Sequence, residues 1–228
     1  MALIEVENLE KIYSDGETKI PALGGVSFSI AKGEFVAIMG PSGSGKSTLL
    51  HILGFLDRHT KGQYRFNHKT IDDYSNEEIA RVRNKKMGFV FQFFNLLPRT
   101  SVLDNIKLPL SYSNVKESEW NERAMKVIKQ VDLAHRIKHD PSQLSGGEKQ
   151  RAAIARALIN DPDVVFADEP TGNLDTKSGE MIMNILKKIN QDEGRTIILI
   201  THETYIANFA RRILYFRDGK IEQDKLIR

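Results

Sequence analysis

Short apolar runs alternate with segments of helical periodicity along this chain, and the alternation predicts an α/β fold. Three runs are apolar almost throughout, which is typical of strands buried on both faces of a parallel sheet. These runs are Phe35–Met39, Val164–Ala167 and Thr196–Ile200. Before the last run, apolar residues recur at i, i+3, i+4 and i+7 from Ile182 to Ile189, the spacing of one helix face. We therefore predict buried parallel strands separated by amphipathic helices.

Two regions depart from this pattern. Alternating apolar and polar residues at Leu3–Leu9 and Val26–Ile30 predict two antiparallel strands before the first buried run. Residues 93 to about 160 lose strand-like runs, and helices are expected over Glu119–Val131 and Gly147–Ile159. Because no repeat, low-complexity segment or linker interrupts the 228 residues, a single domain is expected.

The first buried run leads directly into a glycine-rich loop. Its sequence, Gly40-Pro41-Ser42-Gly43-Ser44-Gly45-Lys46-Ser47-Thr48, matches G-x-x-x-x-G-K-[ST] in full. Glycines let backbone N–H groups approach phosphate oxygens, and the first turn of the following helix adds unpaired N–H groups and a favourable dipole. Lys46 is expected to contact the β- and γ-phosphates and the Ser47 hydroxyl to hold Mg²⁺. The order strand, loop, helix therefore predicts a nucleotide phosphate site.

Chemically active side chains follow three other predicted strands. Asp168 and Glu169 end the second buried run, where two adjacent carboxylates repel each other unless a cation is present. We expect Asp168 to approach Mg²⁺, directly or through water, and Glu169 to polarise the attacking water. Gln92 is placed to touch Mg²⁺ or a water, and His202 to contact a γ-phosphate, although residues at strand ends are also commonly just solvated.

Two further features leave alternatives open. The segment Leu144-Ser145-Gly146-Gly147-Glu148-Lys149-Gln150 contains a Ser-x-x-Glu capping box that starts a helix, but its glycine pair also suits close backbone approach to a phosphate. Tyr13 is placed either to stack on a nucleobase or to be an ordinary half-buried strand residue.

Composition narrows the classes of partner. The formal net charge of +3 is too small to indicate a nucleic-acid surface, and the absence of cysteine excludes disulfides and thiolate chemistry. No run approaches the ~20 apolar residues that cross a bilayer, and the first residues do not resemble a signal peptide. Any membrane span is therefore expected from a partner.

Together these motifs resemble the nucleotide-binding subunits of ATP-binding cassette (ABC) transporters, over about Leu3–Glu222. The matching segments are Gly40–Ser47 for Walker A, Val164–Glu169 for Walker B and Leu144–Gln150 for the LSGGQ signature. The signature has Glu148 in its last position. Within the family, Gly88–Pro98 and Asp168–Asp175 resemble the branch that serves lipoprotein release and macrolide export.

The resemblance implies a P-loop NTPase (RecA-like) core at about 35–92 and 161–228, an antiparallel β region at about 1–34 and an inserted helical subdomain at about 93–160. It implies an ATPase that uses ATP and Mg²⁺ on the cytoplasmic face of the inner or plasma membrane, bound there through a permease-like subunit. The implied site residues are Gln92, Glu169 and His202 for catalysis; Tyr13, Gly40, Pro41, Ser42, Gly43, Ser44, Gly45, Lys46, Ser47 and Thr48 for ATP; Ser47, Gln92 and Asp168 for the metal; Leu144, Ser145, Gly146, Gly147 and Glu148 for the signature; and Asn173, Leu174 and Asp175 for the D-loop.

The same resemblance implies a head-to-tail homodimer when ATP is bound, in which the signature of one chain covers the γ-phosphate held by Lys46 of the other. The apolar loop Phe93–Pro98 either packs under the chain's own helices or forms the docking site of the membrane subunit. On the second interpretation, polar substitutions at Phe94 or Leu97 are expected to weaken that association.

Other classes of P-loop protein fit less well. A GTPase needs Asn-Lys-x-Asp, whereas Asn84-Lys85 is followed by Lys86-Met87. A chromosome-maintenance ATPase would carry a long coiled coil where this chain has only the stretch Phe93–Gln143, and a translation factor would normally carry two cassettes. An inactive module is disfavoured because Lys46, Glu169 and His202 are present. The remaining alternative is a soluble ABC-type ATPase that acts on a non-transport partner, such as a nucleic-acid or cell-division complex, although no direct nucleic-acid contact is expected.

Overall fold

Strands and helices alternate through residues 1–16 and 18–227, the part of the chain that the computed structural model describes. The strands are β1 (Ala2–Asp15), β2 (Thr18–Ala31), β3 (Phe35–Met39), β4 (Lys61–Phe66), β5 (Lys69–Thr70), β6 (Met87–Phe91), β7 (Val164–Asp168), β8 (Thr196–Thr201), β9 (Arg212–Arg217) and β10 (Lys220–Leu226). The α-helices are α1 (Lys46–Leu53), α2 (Asn76–Lys86), α3 (Val102–Lys107), α4 (Glu117–Gln130), α5 (Gly146–Leu158), α6 (Thr176–Glu193) and α7 (Thr204–Ala207). Short 3-10 helices lie at Ile71–Asp73, Leu108–Tyr112, Ala134–Arg136 and Pro141–Gln143.

The apolar runs form the centre of a six-stranded sheet with the order β10-β9-β3-β8-β7-β6. The five strands from β9 to β6 are parallel, and β10 closes the edge as an antiparallel hairpin with β9. All six residues of β8 are buried, as expected for a strand that is covered on both faces. The prediction of an α/β fold is confirmed.

Alternate side chains of the sheet enter two separate apolar cores. On one face, Val165 and Leu199 pack with residues of α4, α5 and α6. On the other face, Phe166 and Ile198 pack with α1 and with residues of the first two strands. The sheet is therefore enclosed by helices on one side and by α1 and a second sheet on the other.

The second sheet is antiparallel, with the order β2-β1-β4-β5. The two strands expected at the start of the chain are present and longer than the sequence pattern indicated. Strand β4, which lies within the 35–92 stretch assigned to the core from the resemblance, pairs with β1 in this sheet. Tyr64 explains why, because its ring is fully buried in the core between this sheet and α1, where its hydroxyl donates to the Leu53 carbonyl at 2.6 Å.

Residues 93–160 contain helices and no strand, as predicted. Helix α4 begins two residues before the expected Glu119, after the extended residue Lys116. Helix α5 begins at Gly146 because Ser145 and Glu148 form a complete capping box. Within the described ranges, no helix has both the length and the apolar character that crossing a bilayer requires.

Candidate nucleotide and catalytic site

The glycine-rich loop at residues 40–45, called the phosphate loop below, joins β3 to α1. It is packed tightly against neighbouring backbone. A Cβ on Gly40 would lie 2.0 Å from the Phe216 carbonyl oxygen, and one on Gly45 would lie 2.4 Å from that of Ala22. Gly45 also has φ +99°, in the left-handed region, and forms the N-cap of α1. Only glycine fits at these two positions, because the loop packs closely against the backbone of β9 and β2.

Lys46, the first residue of α1, is buried within this loop. Its Nζ donates to the Pro41 carbonyl at 2.6 Å and to Ser44 Oγ at 3.4 Å. Burial lowers the pKa of the Lys46 ammonium, while the charges of Glu169 and Asp168 raise it in part. The ammonium is therefore poorly solvated, and negative charge lies close to it. A buried ammonium of this kind is suited to bind a phosphate oxygen.

The two carboxylates at the end of β7 lie in different environments. Burial raises the pKa of Asp168, and the adjacent Glu169 raises it further, against smaller opposing effects of His51 and Lys46. Glu169 has φ +44°, which is uncommon outside glycine, and its N–H donates to the Ile200 carbonyl at 3.0 Å. The sharp turn brings Glu169 Oε1 to 3.0 Å from His202 Nδ1. The two expected catalytic residues at the ends of β7 and β8 are thus in direct contact.

The raised pKa of Asp168 is the feature that fits a metal. A divalent cation would stabilise the ionised Asp168 beside Glu169, and Ser47 and Gln92 are the other oxygen donors expected there. Across the described residues, no group of three or more His, Cys, Asp or Glu side chains forms a protein-only metal cage. Mg²⁺ typically binds through one or two carboxylates together with phosphates and waters.

Gln92, after β6, is tied to the D-loop by two hydrogen bonds. Asn173 Nδ2 donates to the Gln92 carbonyl at 3.0 Å, and Gln92 Nε2 lies 3.4 Å from Asn173 Oδ1. A Cβ on Gly172 would lie 2.7 Å from Gln92 Nε2, so a larger residue there would require the Gln92 side chain to move. Hydrogen bonds therefore join Gln92 to the residues between Glu169 and α6.

The signature segment forms the N-terminal turn of α5, and the capping-box interpretation is correct for its local structure. Ser145 Oγ accepts from the Glu148 N–H at 3.3 Å, and Glu148 Oε2 accepts from the Ser145 N–H at 2.8 Å. Glu148 Oε1 also accepts from Arg136 Nε at 2.8 Å. A Cβ on Gly146 would lie 3.1 Å from Leu174, so the turn packs beside the D-loop of its own chain.

The D-loop ends at Asp175, which is the N-cap of α6. Its carboxylate accepts from the Ser178 N–H at 2.9 Å and from the Ser178 hydroxyl at 2.6 Å. These hydrogen bonds lower the pKa of Asp175. The signature turn, D-loop and Gln92 thus form one connected surface, separate from the hydrogen bonds that Lys46 makes within the phosphate loop.

Tyr13 is an exposed residue of β1 and not a half-buried one, with 39% of its surface accessible. Its hydroxyl donates to Asp57 Oδ2 at 2.9 Å. Burial of the phenol and the nearby Asp57 raise the pKa of Tyr13, so the hydroxyl remains a donor. An accessible, restrained ring is compatible with the predicted stacking on a nucleobase.

One structural contact of the signature segment was not anticipated from the sequence. Gln150 is completely buried, and its Nε2 donates to the carbonyls of Phe91 at 3.2 Å and Pro170 at 2.7 Å. It therefore ties α5 to the residues that immediately precede Gln92 and follow Glu169. Its place in the signature segment was visible, but the two carbonyls are 59 and 20 residues away, so no local pattern could reveal the contact.

Comparison with known proteins gives a consistent result. Residues 23–172 match the family described as ABC transporter. The uncharacterized ABC transporter ATP-binding protein MJ0796 of Methanocaldococcus jannaschii is 45% identical over 99% of this chain and 98% of its own length. A solved dimeric structure of MJ0796, described as a bacterial ABC transporter cassette, has a TM-score of 0.90 at 44% identity and covers 99% of both chains. A second dimeric structure, of a post-hydrolysis state bound to ADP and Pi, has the same score and coverage.

A second group of relatives is much longer than this chain. The macrolide export ATP-binding/permease protein MacB of Syntrophobacter fumaroxidans is 49% identical over 98% of this chain, which covers 32% of MacB. The chain therefore spans about a third of the length of the MacB relatives that it matches.

Proposed function

The chain belongs to the ABC transporter family as an ATP-hydrolysing cassette, and from this premise we propose that two copies bind two ATP molecules head to tail and drive a membrane permease. The observation that carries the proposal is the presence of two glycine-rich helix N-termini in one chain. The phosphate loop leads into α1 and the signature turn starts α5, and among the described residues no hydrogen bond joins the two. We therefore assign the signature turn of each copy to the phosphate held by the other. The dimeric MJ0796 structures support a pair that completes both sites.

In this proposal the phosphate loop holds the triphosphate through its N–H groups and through Lys46, and Tyr13 stacks on the adenine. Mg²⁺, bound by Ser47, Gln92 and Asp168, would neutralise charge on the phosphates. Glu169 accepts a proton from the attacking water. His202, already 3.0 Å from Glu169, orients that carboxylate and contacts the γ-phosphate. Loss of the γ-phosphate removes the group that both copies bind, so the pair opens.

The signature turn of the second copy supplies the remaining contacts. The N–H groups at the start of α5 lack helical partners, and Gly146 and Gly147 carry no side chain to keep a phosphate away. The contact of Gly146 with Leu174 places the D-loop beside this turn. Hydrolysis at one site is therefore expected to change the position of Gln92 through its hydrogen bonds with Asn173.

We place the permease contact at the loop Phe93–Pro98 and at an adjacent cavity of about 510 Å³. The cavity lies between β6, α5 and the 3-10 helix Leu108–Tyr112, and its walls include Leu56, Phe89, Phe91 and Tyr112. Phe93 is 73% exposed and Leu97 45%, whereas Phe94 is half-buried and its carbonyl accepts from Arg156. The structure therefore favours Phe93 over Phe94 as the apolar anchor beside Leu97. The name of MacB joins ATP-binding and permease functions, which supports a permease as the partner.

Substitution of Lys46 by alanine tests the proposed site. Without this buried ammonium we expect ATP hydrolysis to fall to background, because the positive charge beside the β- and γ-phosphates is lost. The matched control is Lys32→Ala, which removes an exposed lysine just before β3. Turnover of ATP by Lys46→Ala at the parental rate would contradict the assignment.

A further inference from the structure

Tyr13 rests on a buried lysine. Lys11 Nζ lies 4.7 Å from the centroid of the Tyr13 ring, and the Lys11 side chain is only 12% exposed. Each face of an aromatic ring carries partial negative charge, so the ammonium under one face is stabilised there. Lys11 covers one face of the Tyr13 ring. Because Tyr13 is 39% exposed, another part of the ring remains open to solvent.

Asp57 joins these two side chains. Its Oδ2 accepts from the Tyr13 hydroxyl at 2.9 Å, and its Oδ1 accepts from Lys11 Nζ at 2.8 Å. The Arg58 N–H also donates to Oδ1 at 2.7 Å. Burial raises the pKa of Asp57, but the three hydrogen bonds outweigh it and the pKa lies below its ordinary value. The carboxylate is therefore ionised, and its hydrogen bonds are the strong, charge-assisted kind.

The group is fixed to the phosphate loop through a single short helix. Asp57 lies in the turn that ends α1, where its N–H and that of Leu56 donate to the His51 carbonyl at 3.2 and 2.8 Å. Helix α1 begins at Lys46. Lys11 also donates to the Arg58 carbonyl at 2.7 Å, which closes β1 onto this turn. These contacts therefore fix the position of the Tyr13 ring relative to α1, whose N-terminus follows the phosphate loop.

On the premise that Tyr13 stacks on the base, we propose that Asp57 and Lys11 are positioning residues that hold its ring at the distance from the phosphate loop that an adenine nucleotide requires. An unrestrained tyrosine at an exposed strand position would lose rotamer freedom when the base binds, and that loss lowers affinity. The hydrogen bond to Asp57 and the contact with Lys11 restrain the ring before the nucleotide arrives. Neither residue needs to touch the nucleotide.

The test separates the base from the phosphates. Binding of Mg-ATP and of Mg-tripolyphosphate to the complete chain is measured by calorimetry for Tyr13→Leu, Asp57→Ala, Asp57→Asn and Lys11→Met. Since stacking on an aromatic side chain is worth ~1–3 kcal/mol, we expect Tyr13→Leu to weaken ATP binding about tenfold, Asp57→Ala about fivefold and Lys11→Met about threefold. Asp57→Asn keeps an acceptor for the hydroxyl and should lose less than Asp57→Ala. Affinity for tripolyphosphate should remain unchanged in all four variants.

Two controls remove similar charges from the same region without touching Tyr13. Lys61→Met breaks the exposed pair Lys61–Glu10, and Asp72→Ala breaks the exposed pair Arg58–Asp72. In a Tyr13→Leu background, Asp57→Ala should cause no additional loss of ATP affinity.

The outcomes are distinguishable. Equal losses of ATP and tripolyphosphate affinity in Asp57→Ala, or the same loss of ATP affinity with and without Tyr13, would overturn the positioning role. Parental ATP affinity in Asp57→Ala and Lys11→Met, together with a loss in Tyr13→Leu, would overturn it as well. If Tyr13→Leu itself retains parental ATP affinity, the proposed base contact fails instead.

Discussion

Replacement of Glu169 by glutamine separates ATP binding from ATP hydrolysis at this site. Glutamine keeps the shape of the side chain and an oxygen that accepts a hydrogen bond from His202 Nδ1, which lies 3.0 Å from the carboxylate. The backbone strain at φ +44° is the same for both residues, and the bond from the residue 169 N–H to the Ile200 carbonyl is retained. The substitution therefore removes a proton acceptor and one negative charge, with little change in geometry.

Loss of a general base costs about 10²–10⁴ in rate, which corresponds to roughly 3–5 kcal/mol of transition-state stabilisation. Removal of the charge beside Asp168 should also lower the raised pKa of that carboxyl, because Glu169 is one of its causes. Asp168 then remains a competent metal ligand, and ATP binding should not weaken. Stability in urea should stay within about 0.5 kcal/mol of the parent, as for substitutions that preserve contacts.

Phosphate release under single-turnover conditions measures the chemical step, and light scattering after size exclusion with Mg-ATP measures assembly. The Glu169→Gln variant should release phosphate at least about a hundredfold more slowly than the parent and accumulate as an ATP-bound dimer. Glu203→Gln, the same chemical change at the exposed N-cap residue of α7, is the matched control. Parental phosphate release would refute the role of Glu169 as base, and a variant that stays monomeric with ATP would refute the head-to-tail pair.

Two further predictions concern the permease contact and the signature. The double variant Phe93→Ser/Leu97→Ser should lose co-purification with a permease partner while it keeps ATP binding. The control Leu226→Ser, at an exposed apolar residue away from this loop, should keep both. Unchanged recovery of the partner with the double variant would place the docking site elsewhere. The pKa of Glu148 is lowered from 4.5 to about 2, chiefly by the hydrogen bond from the Ser145 N–H, against opposing burial and with further help from Arg136. Since the pKa is lower in the folded state, Glu148 stabilises the fold above about pH 4.5 and loses this effect as the pH falls towards about 2. In urea unfolding, Glu148→Gln should therefore have a free energy of unfolding about 1 kcal/mol below that of the parent at pH 7. This difference should shrink below pH 4.5, and a difference that does not depend on pH would contradict the prediction.

Features whose causes are contiguous in the chain could be predicted without a structure. The phosphate loop could be predicted because its glycines, Lys46 and the flanking strand and helix lie within one short segment. The buried strands could be predicted because covering both faces leaves no polar side, and the start of α5 because a capping box spans only four residues. The family followed from the order of these local motifs.

Tertiary structure decided which distant side chains meet. Glu169 and His202 are 33 residues apart, and Gln92 and Asn173 are 81 apart. They meet because β6, β7 and β8 are adjacent parallel strands whose carboxyl ends share one edge, and the order of strands is a property of the assembled sheet. Local pattern also could not assign Phe93 to solvent and Phe94 to a half-buried place, since both residues are equally apolar and only the packing of α5 separates them. For the same reason the support of Tyr13 by Asp57, 44 residues away, became visible only when β1 and the end of α1 were placed side by side.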